Sequence, residues 1–338
     1  MPVRADCYAR PMERTLRGLW LEVRVIPVLL WSFSALTVGT ALGADRADAL
    51  NRWYYVGAIT LGVLIQGLLA HTVNEIEDWR SGTDRDPSPR MLSGGSKVIK
   101  NGLLTARTLR VVFCGALALT VVLGLVMVAS RGVIMLPFGL VGVGGAILYT
   151  LPPVRAAYRP FAGESIAFVC MGACVVGAAL LQSTGVSRVT WLTAVAVAAY
   201  TVSMLMVHHY LDHDADRVAR PPKVTTIVWM GLDRGRQYAI GWCVTGLLAA
   251  MAAAAVQPRL VPLVAGYGLG LLAHLRCNPR DVESVTKNEM AIIFCGIAAA
   301  LGSAALLVPA LTWALAAAAV LIILELRLAV APAESPAA

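Results

Sequence analysis

Residues 111–150 read VVFCGALALTVVLGLVMVASRGVIMLPFGLVGVGGAILYT. Arg131 is the single charge in this stretch, and it divides two apolar runs. A helix rises 1.5 Å per residue, so roughly 20 apolar residues cross about 30 Å of hydrocarbon. Both runs have about that length, and Arg131-Gly132 marks the turn between them. Neither shows the strand-like alternation of a β-barrel porin.

Outward from this pair, similar segments lie near 25–43, 54–73, 110–130, 132–150, 164–183, 189–211, 237–256, 260–275, 289–307 and 309–326. Ten such helices need about 200 residues, in keeping with a 338-residue chain that is 58% hydrophobic. Only 14% of residues are charged, well below the roughly 25% of a globular domain. These proportions exclude a secreted disulfide scaffold and a DNA-binding module. The seven cysteines form no CxxC or Cys/His metal spacing, and Cys170 and Cys174, four apart on one helix face, read as packing residues. The basic leader exceeds twenty residues and many apolar runs follow it, which argues against a cleaved signal peptide. The expected fold is an all-α integral membrane protein.

The net charge of +8 is explained by topology. With the N-terminus inside, 23 Lys/Arg fall on cytoplasmic pieces and five (Arg46, Arg52, Arg131, Arg188, Arg259) on the opposite side. That asymmetry sets the orientation by the positive-inside rule. Nine of the twenty acids crowd into two windows on the cytoplasmic face, Glu75, Glu77, Asp78, Asp84 and Asp86 after the second segment, and Asp212, Asp214, Asp216 and Asp233 after the sixth. Each window begins where a transmembrane helix ends.

In the first window Asn74 and Asp78 share a helix face at i,i+4, and Gly82 can break the helix and return Asp84 toward the same point. In the second, His208, Asp212 and Asp216 step by four along one face. Hard oxygen ligands at the water end of a bundle suit Mg²⁺, which is normally held by one or two carboxylates plus substrate phosphates. Two windows facing one cavity would hold such ions with a diphosphate between them. Solvated helix ends are the plainer reading of either window alone, and the matched spacing of two argues against it. His208, His209 and His213 with the aspartates would alternatively suit Zn²⁺ or iron, but no Cys/His cluster supports that.

The pattern Asn74-x-x-x-Asp78-x-x-x-Gly82-x-Asp84, followed by Ser93-Gly94-Gly95, resembles the first signature of the UbiA superfamily of membrane prenyltransferases. It is most similar to the branch that prenylates 1,4-dihydroxy-2-naphthoate in menaquinone synthesis, with Glu75 in place of that branch's Asp. The stretch from Tyr149-Thr-Leu-Pro-Pro153 through Tyr158 to Gly163-Glu164 is similar to the family's segment joining its fourth and fifth helices. Asp212-x-x-x-Asp216 with Lys223 and Thr225 resembles the second signature. The likeness spans residues 20 to 307, and one departure stands out: His208-His209 occupies the place of the branch's usual Asn-Asn.

The resemblance implies a nine-helix UbiA-like transmembrane bundle over 25–308, preceded by a basic cytoplasmic segment, 1–24, and followed by an extra C-terminal helix and tail, 309–338. It implies Mg²⁺ held by Asn74, Asp78, Asp84, Asp212 and Asp216, an isoprenyl diphosphate substrate, and Lys97, Arg155, Arg159 and Lys223 as cationic partners of the diphosphate. Catalytic roles fall to Asp78, Asp212, Tyr149 (an aromatic face for an allylic cation) and His209. His71, one turn deeper than Asn74, is read as an interhelical hydrogen bond before an acid–base group, and Glu164 as a helix-start acid. The implied activity is transfer of the isoprenyl group to a lipophilic aromatic or quinone-precursor acceptor in the cell membrane. The alternative is a terpene cyclase of the same superfamily. An ion-coupled carrier is disfavoured, because carriers place their sites near the midplane.

Cysteines substituted at Ser88 and Arg220 should label from the same side as the N-terminus. Labelling from opposite sides would rule out a single site built from both windows.

Overall fold

The computed structural model describes residues 11–85 and 95–329. Asp86, Ser88, Ser93 and Gly94, and both chain ends, lie outside the described residues. Among the described residues every regular element is helical, and nine helices are long and apolar enough to cross a membrane. The first is the stretch Met12–Ala47, which divides at Arg24, a residue in the left-handed region with φ 52°. Helix α1, Pro11–Val23, precedes that break, and α2 spans 25–47. The chain continues as α3 Arg52–Ser81, α4 Ala106–Arg131, α5 Leu136–Thr150, α6 Ala162–Gln182 and α7 Arg188–Val218. There follow α8 Thr226–Met230, α9 Leu232–Val256, α10 Val261–Arg276, α11 Val282–Leu307 and α12 Trp313–Ala329. The expected segment 260–275 corresponds to α10, which at 16 residues is not among the nine spanning helices.

Local chemistry sets many of the helix starts. Asn51 caps α3 by accepting from Trp53 N at 3.0 Å and Tyr54 N at 3.2 Å, and Thr105, Ser187, Thr225 and Asp281 cap α4, α7, α8 and α11 the same way. Such side chains satisfy amides that would otherwise lack partners. Two helices carry π-helical stretches, Leu29–Phe33 in α2 and Val63–Ala70 in α3. They are tied together where Ser32 N donates to Gln66 Oε1 at 3.0 Å.

Small residues let the helices approach closely, as membrane packing requires where no water drives association. Gly39 and Gly43, four apart on α2, face the backbone of α6. A β-carbon at either would lie 2.8 Å from the Cα of Val175 or Ala179. Helix α7 runs through the middle of the bundle and touches α2, α6, α9 and α11. Its Tyr200 stacks on Tyr267 at 4.0 Å and donates to the Ile292 carbonyl at 2.7 Å, joining α7, α10 and α11. Helices α4 and α5 pack on α3 and turn Leu119, Val122 and Leu148 outward, where lipid would cover them. Helix α12 lies against α1, α2 and α11.

Helices α3 and α7 run past the apolar segments read from sequence, to Ser81 and Val218. Asp78, Asp212 and Asp216 therefore sit on helical extensions of the apolar runs.

Gly39→Leu should lower stability in detergent by about 2–3 kcal/mol, the order of an overpacked core. Gly172→Leu, whose β-carbon would meet nothing within 4 Å, should be close to neutral. Equal thermal melts for the two variants would mean that the close approach of α2 and α6 is not required.

Candidate functional site

Two helix ends and two loops bring the acidic windows to one point. Gly82 ends α3 at φ 90°, a conformation that glycine adopts without steric penalty. Asp84 follows in a single 3₁₀ turn, Thr83–Arg85, and is buried with Asp78, Asp212 and Asp216. The second window is joined to the first by backbone: Arg220 N donates to the Ser81 carbonyl at 2.9 Å. Lys223 N then donates to the Asp216 carbonyl at 2.9 Å, which turns the Lys223 side chain back into the cluster.

Asp78 is the hub. Its Oδ2 accepts from Asn74 Nδ2 and from Lys223 Nζ, both at 2.9 Å, and its Oδ1 accepts from Tyr158 Oη at 3.0 Å. Lys223 Nζ also lies 3.9 Å from Asp216 Oδ1. Burial opposes the charge on Lys223, but Asp78 and Asp216, then Tyr158 and Asp212, more than offset it and hold the amine well above its ordinary pKa. Burial and the Asp78 charge likewise push the Tyr158 phenol up. Both carboxylate oxygens of Asp84 and of Asp216 are buried with no hydrogen-bond partner among the described residues. Burial, with Asp78 and Glu75 beside it, raises the Asp84 carboxyl well above the usual carboxylate range, against the opposing pull of Lys223.

A cavity of about 510 Å³ opens from this cluster into the bundle. Asn74, Asp78, Asp84, Asp212 and Lys223 line its polar end, with His71, His208, His209 and Tyr149 next to them. Its wall on α3 reaches from Asp78 back to Ala58, roughly 30 Å at 1.5 Å per residue. The rest of the lining is mostly apolar, and its aromatic rings are Trp31, Phe138 and Tyr149.

Of the residues singled out in the sequence, Asn74, Asp78, Asp84, Asp212, Lys223, Tyr149 and His209 line this one cavity. Asp216 stands behind them, fully buried against Lys223. Three cations are placed elsewhere. Arg155 pairs with Glu77 at 2.8 Å, Arg159 is exposed and donates to the Pro153 carbonyl at 3.1 Å, and Lys97 is not part of the cavity wall. A carboxylate of α3 takes up Arg155 and a backbone carbonyl takes up Arg159, so neither faces the cavity. His71 Nδ1 meets the Val23 carbonyl at 3.0 Å, which is the interhelical bond the sequence favoured. Glu164 does more than start a helix, since it accepts from the Thr226 hydroxyl and ties α6 to α8.

Glu75, one position from Asn74, has its carboxylate committed to a loop. It accepts from Ser96 N at 2.9 Å and from Lys97 N and Ile99 N at 3.2 Å each. Gly95, at φ 70°, leaves the space this needs, because a β-carbon there would lie 2.6 Å from Glu75 Oε2. The sequence reading missed Tyr158 and Glu289 as side chains of the site. Tyr158 sits in the quoted stretch between the fourth and fifth segments, which was the available signal. Glu289 stands at the edge of an apolar segment, where a carboxylate invites the question of its partner.

The cluster suits a divalent cation bound with a phosphate. Among the described residues no group of three or more His, Cys, Asp or Glu forms a ready-made metal cage. Mg²⁺ does not need one, since it usually takes one or two carboxylates and completes its shell with phosphate and water. The four partnerless oxygens of Asp84 and Asp216 are donors of the required kind.

A model of the UbiA prenyltransferase family matches residues 29–284. Two solved structures of a UbiA homologue from Archaeoglobus fulgidus resemble the fold at 14% identity, covering 85% of this chain. The one bound to GPP and Mg²⁺ has TM-score 0.58 and is covered over 99% of its length; the one bound to DMAPP and Mg²⁺ has 0.56 and 98%. A structure of digeranylgeranylglyceryl phosphate synthase is similar at TM-score 0.54 and 12% identity, over 85% of this chain and 98% of that one. A comparison with curated proteins finds no match.

A carboxyl whose folded pKa is raised favours the folded state only while protonated, so its contribution fades as pH climbs from its ordinary range toward the raised value. In EDTA, the melting temperature of the wild type should therefore fall relative to Asp84→Asn as pH rises from 6 to 9. A difference independent of pH would show that Asp84 is not protonated by its surroundings.

Proposed function

The chain belongs to the UbiA prenyltransferase family, and on that premise we propose that it transfers an isoprenyl group from an isoprenyl diphosphate to a lipophilic aromatic acceptor within the membrane. The observation that carries this reading is the gathering of Asp78, Asp84, Asp212 and Lys223 at the polar end of one long apolar cavity. The DMAPP, GPP and Mg²⁺ bound by the Archaeoglobus homologue support the same ligand class here. Asn74, Asp78, Asp84, Asp212 and Asp216 are the residues to hold Mg²⁺, which when bound neutralises the diphosphate and stabilises charge on it as it departs.

The protein's own groups then have distinct tasks. Lys223 Nζ, already inside the cluster, stabilises negative charge on the leaving diphosphate. Tyr158 and Asn74 hold the Asp78 carboxylate in place. The C1–O bond of the substrate breaks with its electron pair leaving on the diphosphate. The apolar wall keeps water from the allylic cation, and Tyr149 offers it an aromatic face. An acceptor ring carbon attacks C1, and the ring then loses its proton. A dihydroxynaphthoate-type acceptor is the specific candidate, supported by the Asn74–Asp78–Gly82–Asp84 pattern. The sparse aromatic lining favours transfer over cyclisation, because a cyclase must shepherd a cation past several positions of its chain. The charge asymmetry supports a cytoplasmic site, with residues 25–308 forming the enzyme and 309–338 an added helix and tail.

Purified protein with Mg²⁺, geranyl, farnesyl or geranylgeranyl diphosphate and aromatic acceptors should yield prenylated acceptor, and EDTA should abolish it. Asp78→Asn should lower kcat at least about 10²-fold, the order of removing one preorganised electrostatic contact. Cyclic hydrocarbon formed without acceptor would favour the cyclase, and undiminished activity of Asp78→Asn would make the acids solvated helix ends.

A further inference from the structure

His208 stands where the site turns from carboxylates to imidazoles, and it is held from outside the acidic windows. Its Nδ1 lies 2.9 Å from Glu289 Oε1, a carboxylate on α11 that is 1% exposed and whose Oε2 has no hydrogen-bond partner among the described residues. A carboxylate only accepts, so the proton of the ring sits on Nδ1. That leaves the lone pair on Nε2, on the other side of the ring. Nε2 is 3.8 Å from Asp212 Oδ2, too long for a hydrogen bond, and His208 lines the cavity beside Asp212. One divalent ion about 2.1 Å from each atom can span any separation up to about 4.2 Å. Metal-ligating histidines characteristically donate their second ring N–H to a carboxylate, which fixes the tautomer and raises the basicity of the ligand.

We propose that His208, oriented by Glu289, supplies its Nε2 to the divalent cation carried by Asp212, so that this cation position is a mixed nitrogen–oxygen site. The proposal rests on the reading of the acidic cluster as a metal–diphosphate site. Imidazole nitrogen is a softer donor than an amide or carboxylate oxygen, and it shifts preference from Mg²⁺ toward ions such as Fe²⁺ and Zn²⁺, while Mn²⁺ serves as a paramagnetic stand-in for Mg²⁺. His209, also on the cavity wall, has among the described residues no hydrogen-bond partner on Nδ1 to set its tautomer. Glu289 is a positioning residue: it acts through the imidazole and is not part of the cavity wall.

The test uses the full-length protein in detergent, loaded with Mn²⁺ and inorganic diphosphate and read by pulsed electron paramagnetic resonance. The wild type should show hyperfine coupling of Mn²⁺ to an imidazole ¹⁴N. His208→Asn should lose that coupling while still binding Mn²⁺, and His209→Asn should keep it. Glu289→Gln should keep it with Mn²⁺ affinity about 10-fold weaker, the lower end of the loss seen when a supporting residue is altered. Mn²⁺ bound with diphosphate but without ¹⁴N coupling in the wild type would overturn the proposal, leaving the His208–Glu289 pair as a tie between α7 and α11. Coupling that survives His208→Asn overturns it as well. If the wild type binds no Mn²⁺ even with diphosphate, the metal–diphosphate reading itself falls, which separates the two failures.

Discussion

The rest of the site is arranged around one electrostatic problem, the burial of several carboxylates at one end of a membrane protein. Charge removed from water is stabilised only when it is paired and fully hydrogen-bonded. Here a single ammonium, Lys223, is shared between Asp78 at 2.9 Å and Asp216 at 3.9 Å. Two neutral donors, Asn74 and Tyr158, complete the shell of Asp78. Lys223 does not hydrogen-bond all four acids, and the oxygens of Asp84 and Asp216 have no hydrogen-bond partner among the described residues. A protein that keeps such an imbalance at the mouth of an apolar chamber is built to receive positive charge there. Much of the surrounding structure serves to hold the imbalance in place: Gly82 turns Asp84 inward, Glu75 pins the following loop, and the Arg220–Ser81 backbone bond locks one window to the other.

That constraint also decides how much could be read from the sequence. The fold is legible because the membrane leaves the backbone few choices, so runs such as 111–150 can scarcely be anything but spanning helices. The acids of the site are legible for the same reason, since carboxylates crowded where an apolar run ends must answer to something. What escapes is the pairing between distant parts of the chain. Tyr158 reaches Asp78 across 80 residues, and Glu289 reaches His208 across 81. No local pattern joins such partners. The arginines mislead in the opposite direction. Arg155 and Arg159 stand in sequence near the acids of the site, and charge alone does not reveal that Glu77 and a backbone carbonyl take them up. The break at Arg24 and the π-helical stretches of α2 and α3 are tertiary accommodations as well.

The two faces of the chamber are under different kinds of constraint, which bears on how a fold persists at 12–14% identity to its structural neighbours. The apolar wall has only to be apolar, roughly the right volume and free of stray polar groups, and many side chains meet those terms. Its depth of roughly 30 Å follows from helix length, which the bilayer fixes. The polar end is different, because an unpartnered charge there has no substitute in hydrocarbon. A polar group at that end needs its own support within the protein. His208 is such a group: its imidazole stands at the cavity wall, and a buried carboxylate on α11 stands behind it at 2.9 Å. Without Glu289 the ring would be free to present either nitrogen to the cavity. With it, one nitrogen is committed and the other faces Asp212, so the imidazole and the distant acid make physical sense only together.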